Sequence, residues 1–86
     1  MANHKSAIKR ARQSEEQRVR NRSRKTRMKN VIRGLEEALA GKSPEKAAEE
    51  LKKAISVIDK TASQGVIHHN TASRKISRLT RRVNAL

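Results

Sequence analysis

The sequence predicts an all-α fold: an antiparallel three-helix bundle with a long basic N-terminal helix extending beyond the core. Three observations lead there. Apolar residues recur at spacings of three and four along the chain, the repeat of a helix with one buried stripe, and no stretch alternates with period two. The stripes are interrupted only around residues 41–43 and 65–69, and connections that short make successive helices antiparallel neighbours. The charge is partitioned: residues 1–33 carry 12 Lys+Arg against two Glu, residues 34–64 five Lys against six acids, and residues 65–86 five Lys+Arg and no acid. The expected helices are about 6–40, 44–64 and 69–85, in a single domain spanning residues 1–86 with no internal repeat.

Within the first helix nothing breaks the pattern except Gly34, which costs on the order of 1 kcal/mol. Met28, Val31, Ile32, Leu35, Ala38 and Leu39 form a broad stripe, so the C-terminal half can pack on the other helices. Further back Arg20 and Arg24 project along the same direction, and the stripe stops. Before Met28 the only apolar residues larger than alanine are Ile8 and Val19. There Lys9, Arg10, Arg12, Arg18, Arg20, Arg22, Arg24, Lys25, Arg27 and Lys29 surround the helix on every side. A helix polar all round has no packing to hold it. The expectation is an arm that is frayed alone and ordered when phosphates surround it.

The second helix is well punctuated. Gly41 suits the left-handed position just past the first helix. Ser43-Pro44-Glu45 then supplies a capping hydroxyl, a proline at the first helical position and an acid in the first turn. Ala47, Leu51, Ala54, Ile55, Ile58 and Ala62 make one stripe, Glu49 and Lys53 form an i,i+4 pair, and Gly65 ends the element. This helix reads as structural. In the third, Ala72, Ile76, Leu79, Val83 and Leu86 step by 4, 3, 4 and 3, a narrow packing seam. Arg74, Lys75, Arg78, Arg81 and Arg82 fall opposite it at about 100° per residue. Five cations without an anion read as a phosphate-facing surface. Leu51, Ile55, Leu79 and Val83 are expected to be buried.

Composition excludes most functions. A chain of 86 residues has little room to enclose a pocket, and its net charge of +14 points to a polyanion, most simply nucleic acid. Phe, Tyr and Trp are absent, which argues against readers that stack single-stranded bases on aromatic rings. Cys is absent, so there is no disulfide, thiolate zinc site or thiol chemistry. No apolar run is long enough for a membrane span or a secretory signal. The carboxylate pairs Glu15-Glu16, Glu36-Glu37 and Glu49-Glu50 are adjacent on helices and diverge, so no catalytic pair forms. No enzyme, cofactor or metal site is expected. His68-His69 read as part of a polar turn before the third helix, where Asn70 and Thr71 can cap it, and not as metal ligands. A nucleoid-type DNA protein would need β-ribbon arms or an intercalating wedge. A membrane-active helix would need a large apolar face.

The two ends together resemble a family. The opening Met1-Ala2-Asn3-His4-Lys5-Ser6-Ala7-Ile8-Lys9-Arg10, then Arg12, Arg20-Asn21 and Lys25 to Lys29, looks like the start of the bacterial small-ribosomal-subunit protein S-twenty. The stretch Gly65-Val66-Ile67-His68-His69-Asn70-Thr71-Ala72-Ser73-Arg74-Lys75-Ile76-Ser77-Arg78-Leu79 is similar to that family's signature and is the more specific match. His69 stands where Lys is commoner, and Ile76 where a basic residue is frequent; Ile76 fits the packing seam. The resemblance implies a three-helix bundle in the cytoplasmic ribosome that binds small-subunit ribosomal RNA directly and joins the particle early. Its RNA partners would be the 5′ domain and the long penultimate helix, with few or no protein partners, no membrane and no small-molecule substrate. The implied RNA-facing set is Asn3, Lys5, Ser6, Lys9, Arg10 and Arg12, then Arg18, Arg20, Asn21, Arg22, Arg24, Lys25, Arg27 and Lys29, and finally His68, Asn70, Arg74, Ser77, Arg78 and Arg81. Charge alone finds most of these; Asn3, Ser6 and Ser77 rest on the resemblance. Without aromatic residues, phosphate and sugar contacts and recognition of folded shape are expected.

Overall fold

A computed structural model describes residues 2–86, with side chains from Lys5 onward. Three helices, α1 (Ala2–Ala40), α2 (Pro44–Ser63) and α3 (His69–Asn84), account for nearly all of it, and no strand occurs among the described residues. α2 packs against both neighbours, whereas α1 and α3 meet far less. The core is drawn from all three: Met28, Leu35 and Leu39 of α1, Ala47, Ala54 and Ile58 of α2, and Ala72 and Leu79 of α3. Leu35 and Ile58 are fully enclosed.

α2 therefore offers Ala47, Ala54 and Ile58 where it is most deeply buried, and Leu51 and Ile55 lie to the sides. Leu51 is only half-buried against the core, and Ile55 is half-buried without belonging to it, contrary to the expectation from the stripe. Of the seam residues on α3, Leu79 is buried and Val83 half-buried. Leu86 lies beyond the end of α3 and is 42% exposed, so the last step of the seam does not pack. The one buried polar side chain among the described residues, Thr61, donates its hydroxyl to the carbonyl of Val57 at 2.7 Å.

The helix ends depart from the expected caps in three places. After α1 the left-handed residue is Lys42 (φ 51°), one position later than Gly41. The Lys42 N–H donates to the Leu39 carbonyl (3.1 Å) and the Ser43 N–H to the Ala38 carbonyl (3.3 Å), the paired closure of a Schellman motif. Gly65 (φ 78°) takes the same role after α2, with bonds from Gly65 N–H to Ala62 and from Val66 N–H to Thr61. Ser43 stands at the N-cap of α2, but its hydroxyl makes no capping bond, and Pro44 and Glu45 open that helix. The N-cap of α3 is His68, whose Nδ1 accepts the Asn70 N–H at 3.1 Å. The imidazole nitrogen does what an Asn or Asp oxygen does at this position, and Asn70 and Thr71 fall inside the helix.

α1 is continuous through Gly34, where a Cβ would come within 3.2 Å of the Glu50 carboxylate of α2. Its 39 residues make a rod of about 58 Å at 1.5 Å per residue, and the molecule's longest dimension is 63 Å. The radius of gyration is 17.5 Å, against about 12 Å for a compact chain of this length. The excess is the arm formed by the first part of α1.

Candidate nucleic-acid interface

The arm exposes its cations because nothing covers it. Lys5, Ser6, Lys9, Arg10, Arg12, Arg18, Arg20, Arg22, Lys25, Arg27 and Lys29 are all exposed; Asn21 and Arg24 are half-buried. Asn3 lies outside the residues whose side chains are described. Ile8 and Val19 are more than half exposed, so the arm has no hidden apolar face. Along its length Ser14, Gln17, Arg18, Asn21, Arg22, Lys25, Thr26 and Lys29 line one open polar face. Ser14, Gln17 and Thr26 were not among the sequence candidates, although spacings of three and four from the cations place them there.

Arg18 is the arm cation that already has an anion. Its Nη2 lies 2.7 Å from Oε1 of Glu15 and its Nε 3.2 Å from Oε2, a two-pronged pair on the surface. The hydrogen bond and the charge of Arg18 hold the Glu15 carboxyl below its ordinary range, and Glu15 raises Arg18 in return. Arg24 reaches the Asn21 side-chain oxygen at 3.5 Å. No other arm cation lies within ion-pair distance of a carboxylate among the described residues.

α3 presents a second basic surface. Arg74, Ser77, Arg78 and Arg81 are exposed while Ala72 and Leu79 are buried on the other side. Two of the five cations depart from the expected uniform face: Lys75 is half-buried, and Arg82 lies 3.6 Å from Glu36 of α1. Tertiary packing thus brings an acid to a face that has none in its own sequence. In the turn before α3, His68 and His69 are exposed and their rings stack at 4.2 Å and 30°. With Nδ1 of His68 accepting the cap bond, the neutral ring carries its proton on Nε2, a donor free for an oxygen ligand. No group of three or more metal-ligating side chains is found among the described residues.

The arm and the turn before α3 meet at one end of the bundle. Gln64, at the end of α2, lines a cleft with Arg24 and Arg27, so the turn leading to His68 sits where the arm leaves the core. Arg81 and Arg82 lie toward the other end, where Arg82 meets Glu36. The acids collect elsewhere: Glu37, Glu49 and Glu50 line a groove between α1 and α2 with Gly34 and Lys46. Lys53 of α2 pairs with Glu50 at 3.5 Å, not with Glu49 as the i,i+4 spacing suggests.

Comparison with known proteins gives a consistent result along the whole chain. The family model described as "Ribosomal protein S20" matches residues 2–84. The small ribosomal subunit protein bS20 of Syntrophobacter fumaroxidans is 74% identical, with all of both chains covered. The proteins of the same name from Desulfotalea psychrophila and Desulfatibacillum aliphaticivorans are 63% and 54% identical, each covering all of this chain and 97% and 98% of their own.

Proposed function

The chain belongs to the ribosomal protein S20 family, structural proteins of the small ribosomal subunit, and from that premise we propose that it binds small-subunit ribosomal RNA directly through phosphate and sugar contacts. The observation that carries this reading is the uncovered arm. The first half of this 39-residue helix has cations all round and no packed face, and it contributes no residue to the core. Phosphates would supply the counter-charge that the fold withholds. The basic side of α3, with Arg74, Ser77, Arg78 and Arg81, and the His68-Asn70 turn extend the surface, as do Lys5 to Arg12 and Arg18 to Lys29 on α1. Donors of this kind position a backbone and read folded shape; they carry little base information. The RNA elements proposed are the 5′ domain and the long penultimate helix. A molecule 63 Å long with basic surfaces on separate elements suits two RNA segments better than one.

Crosslinking the protein to total cellular RNA tests the proposal. Crosslinks from the arm and α3 should concentrate in those two elements of the small-subunit RNA. Crosslinks distributed over all RNAs in proportion to abundance would mean that the charge is unspecific.

A further inference from the structure

Where the arm leaves the bundle, α1 and α2 enclose a cleft of about 130 Å³ lined by Arg24, Arg27, Val57, Lys60, Thr61 and Gln64. Three of the six are cations and none is an acid. We infer that this cleft seats one RNA backbone phosphate, held by Arg24 and Arg27 of α1 and Lys60 of α2, with Gln64 as a neutral donor. The inference rests on the RNA-binding reading above. It adds residues from α2, the helix that the sequence marks as purely structural.

Two ordinary reasons for cations at this place fail. The first is that they cap the C-terminus of α2. Three of its last four carbonyls are already satisfied by the chain at the helix end: Lys60 accepts from Gln64 N–H (3.0 Å) and the Ser63 hydroxyl (2.8 Å), Thr61 from Val66 N–H (3.2 Å), and Ala62 from Gly65 N–H (2.9 Å). The second is an ion pair. None of Arg24, Arg27 and Lys60 lies within 4.0 Å of a carboxylate among the described residues, and the only side-chain partner of Arg24 is Asn21 at 3.5 Å.

The floor strengthens the case. Val57 is half-buried, and Thr61 is buried with its hydroxyl already given to Val57. Over such a floor charges are less screened than on open helix surface, so three cations lining one cleft repel and an anion among them is held more firmly. The space is large enough for a tetrahedral anion. A phosphodiester there would touch the root of the arm and the end of α2 together, fixing the direction in which the arm leaves the bundle.

The test uses the full chain, small-subunit ribosomal RNA and the dependence of affinity on salt. Lys60→Gln should lower the slope of log affinity against log salt by about 1, the loss of one phosphate contact, without changing the melting temperature by more than a degree or two. Lys60→Arg should restore the slope. Lys46→Gln removes the same charge from the same helix, but in the groove with Glu37, Glu49 and Glu50, and should leave the slope unchanged. An unchanged slope in Lys60→Gln, with the wild-type slope steep, overturns the cleft and leaves the RNA reading intact. A flat wild-type slope defeats the RNA reading itself. Inorganic phosphate is the second arm: saturable binding that perturbs Lys60 and Gln64, with the RNA slope indifferent to Lys60→Gln, would reassign the cleft to a free anion.

Discussion

Lys42 holds a backbone conformation that costs an L-residue about 1–2 kcal/mol, and it does so one position after a glycine that does not need its own freedom. Lys42→Gly should therefore stabilise the protein by about 0.5–1 kcal/mol, the strain relieved less the extra entropy of a glycine in the unfolded chain. Urea denaturation measures this directly, and a destabilised variant would mean that the Lys42 side chain has a role of its own. The turn is legible in the sequence as a glycine near a helix end; which residue is left-handed depends on where the Schellman bonds close. The His68 cap was not legible for a related reason, since histidine is no habitual capping residue and Asn70 and Thr71 stood nearby. A second residue-scale expectation concerns Glu15. Its carboxyl is held low by Arg18, so the pair's contribution is present above the ordinary carboxylate range and is lost as pH falls through the lowered value. In the other direction, RNA must compete with Glu15 for Arg18. Glu15→Gln should tighten RNA binding about twofold or more at neutral pH, because an exposed helical pair is weak and a carboxylate facing phosphates is also removed. Weaker binding in that variant would show that Glu15 positions Arg18 for its ligand.

Each element divides into a part that the core holds and a part that it does not. On α3, Leu79 is buried with Ala72 on the packed side, and Leu79→Ala should cost ~2–5 kcal/mol by thermal or chemical unfolding. A loss below ~1 kcal/mol would mean that the helix packs through other residues. The period of the stripes was enough to find three helices and most of the core, because spacings of three and four do not depend on partners. It could not say which stripe residues face the closest approach. That is why Ile55 was expected inside while Ala54 and Ile58 take the buried positions, and why Arg82 was expected to be free of acids. Lys60 was missed as a candidate because its relation to Arg24 and Arg27 exists only once α1 and α2 are side by side. α1 shows the division most sharply: Met28, Leu35 and Leu39 anchor its second half, and no buried residue anchors residues 5–27. In the free protein, amides of residues 8–25 should exchange far faster than those of residues 28–40, and RNA should slow them. Equal protection of both halves without RNA would sink the idea that binding orders the arm.

At the scale of the whole molecule the core and the charge are separable. The core needs α2, α3 and the second half of α1, within a body extended to 63 Å by the arm. Residues 1–27 hold 10 of the 22 basic side chains but no buried residue among those described, Asn21 and Arg24 being at most half-buried. Removing them should barely change the melting temperature, because the apolar surface they cover is small. RNA binding should respond in the opposite way. If the arm and α3 together neutralise on the order of 6–10 phosphates, wild-type affinity should fall ~10³–10⁵-fold between about 50 and 200 mM salt, on the scale set by duplex DNA. The truncated chain should bind weakly and with a much flatter slope, because the arm's cations and two of the three in the cleft are gone. Charge reversal at Arg74 and Arg78 should flatten the slope in the same way while leaving the arm in place, since both are exposed on the side away from Ala72 and Leu79. Measuring affinity against salt for the three proteins apportions the binding between arm and bundle. A truncated protein that kept full affinity and the wild-type slope would show that α3 is the anchor and that the arm serves something other than phosphate binding.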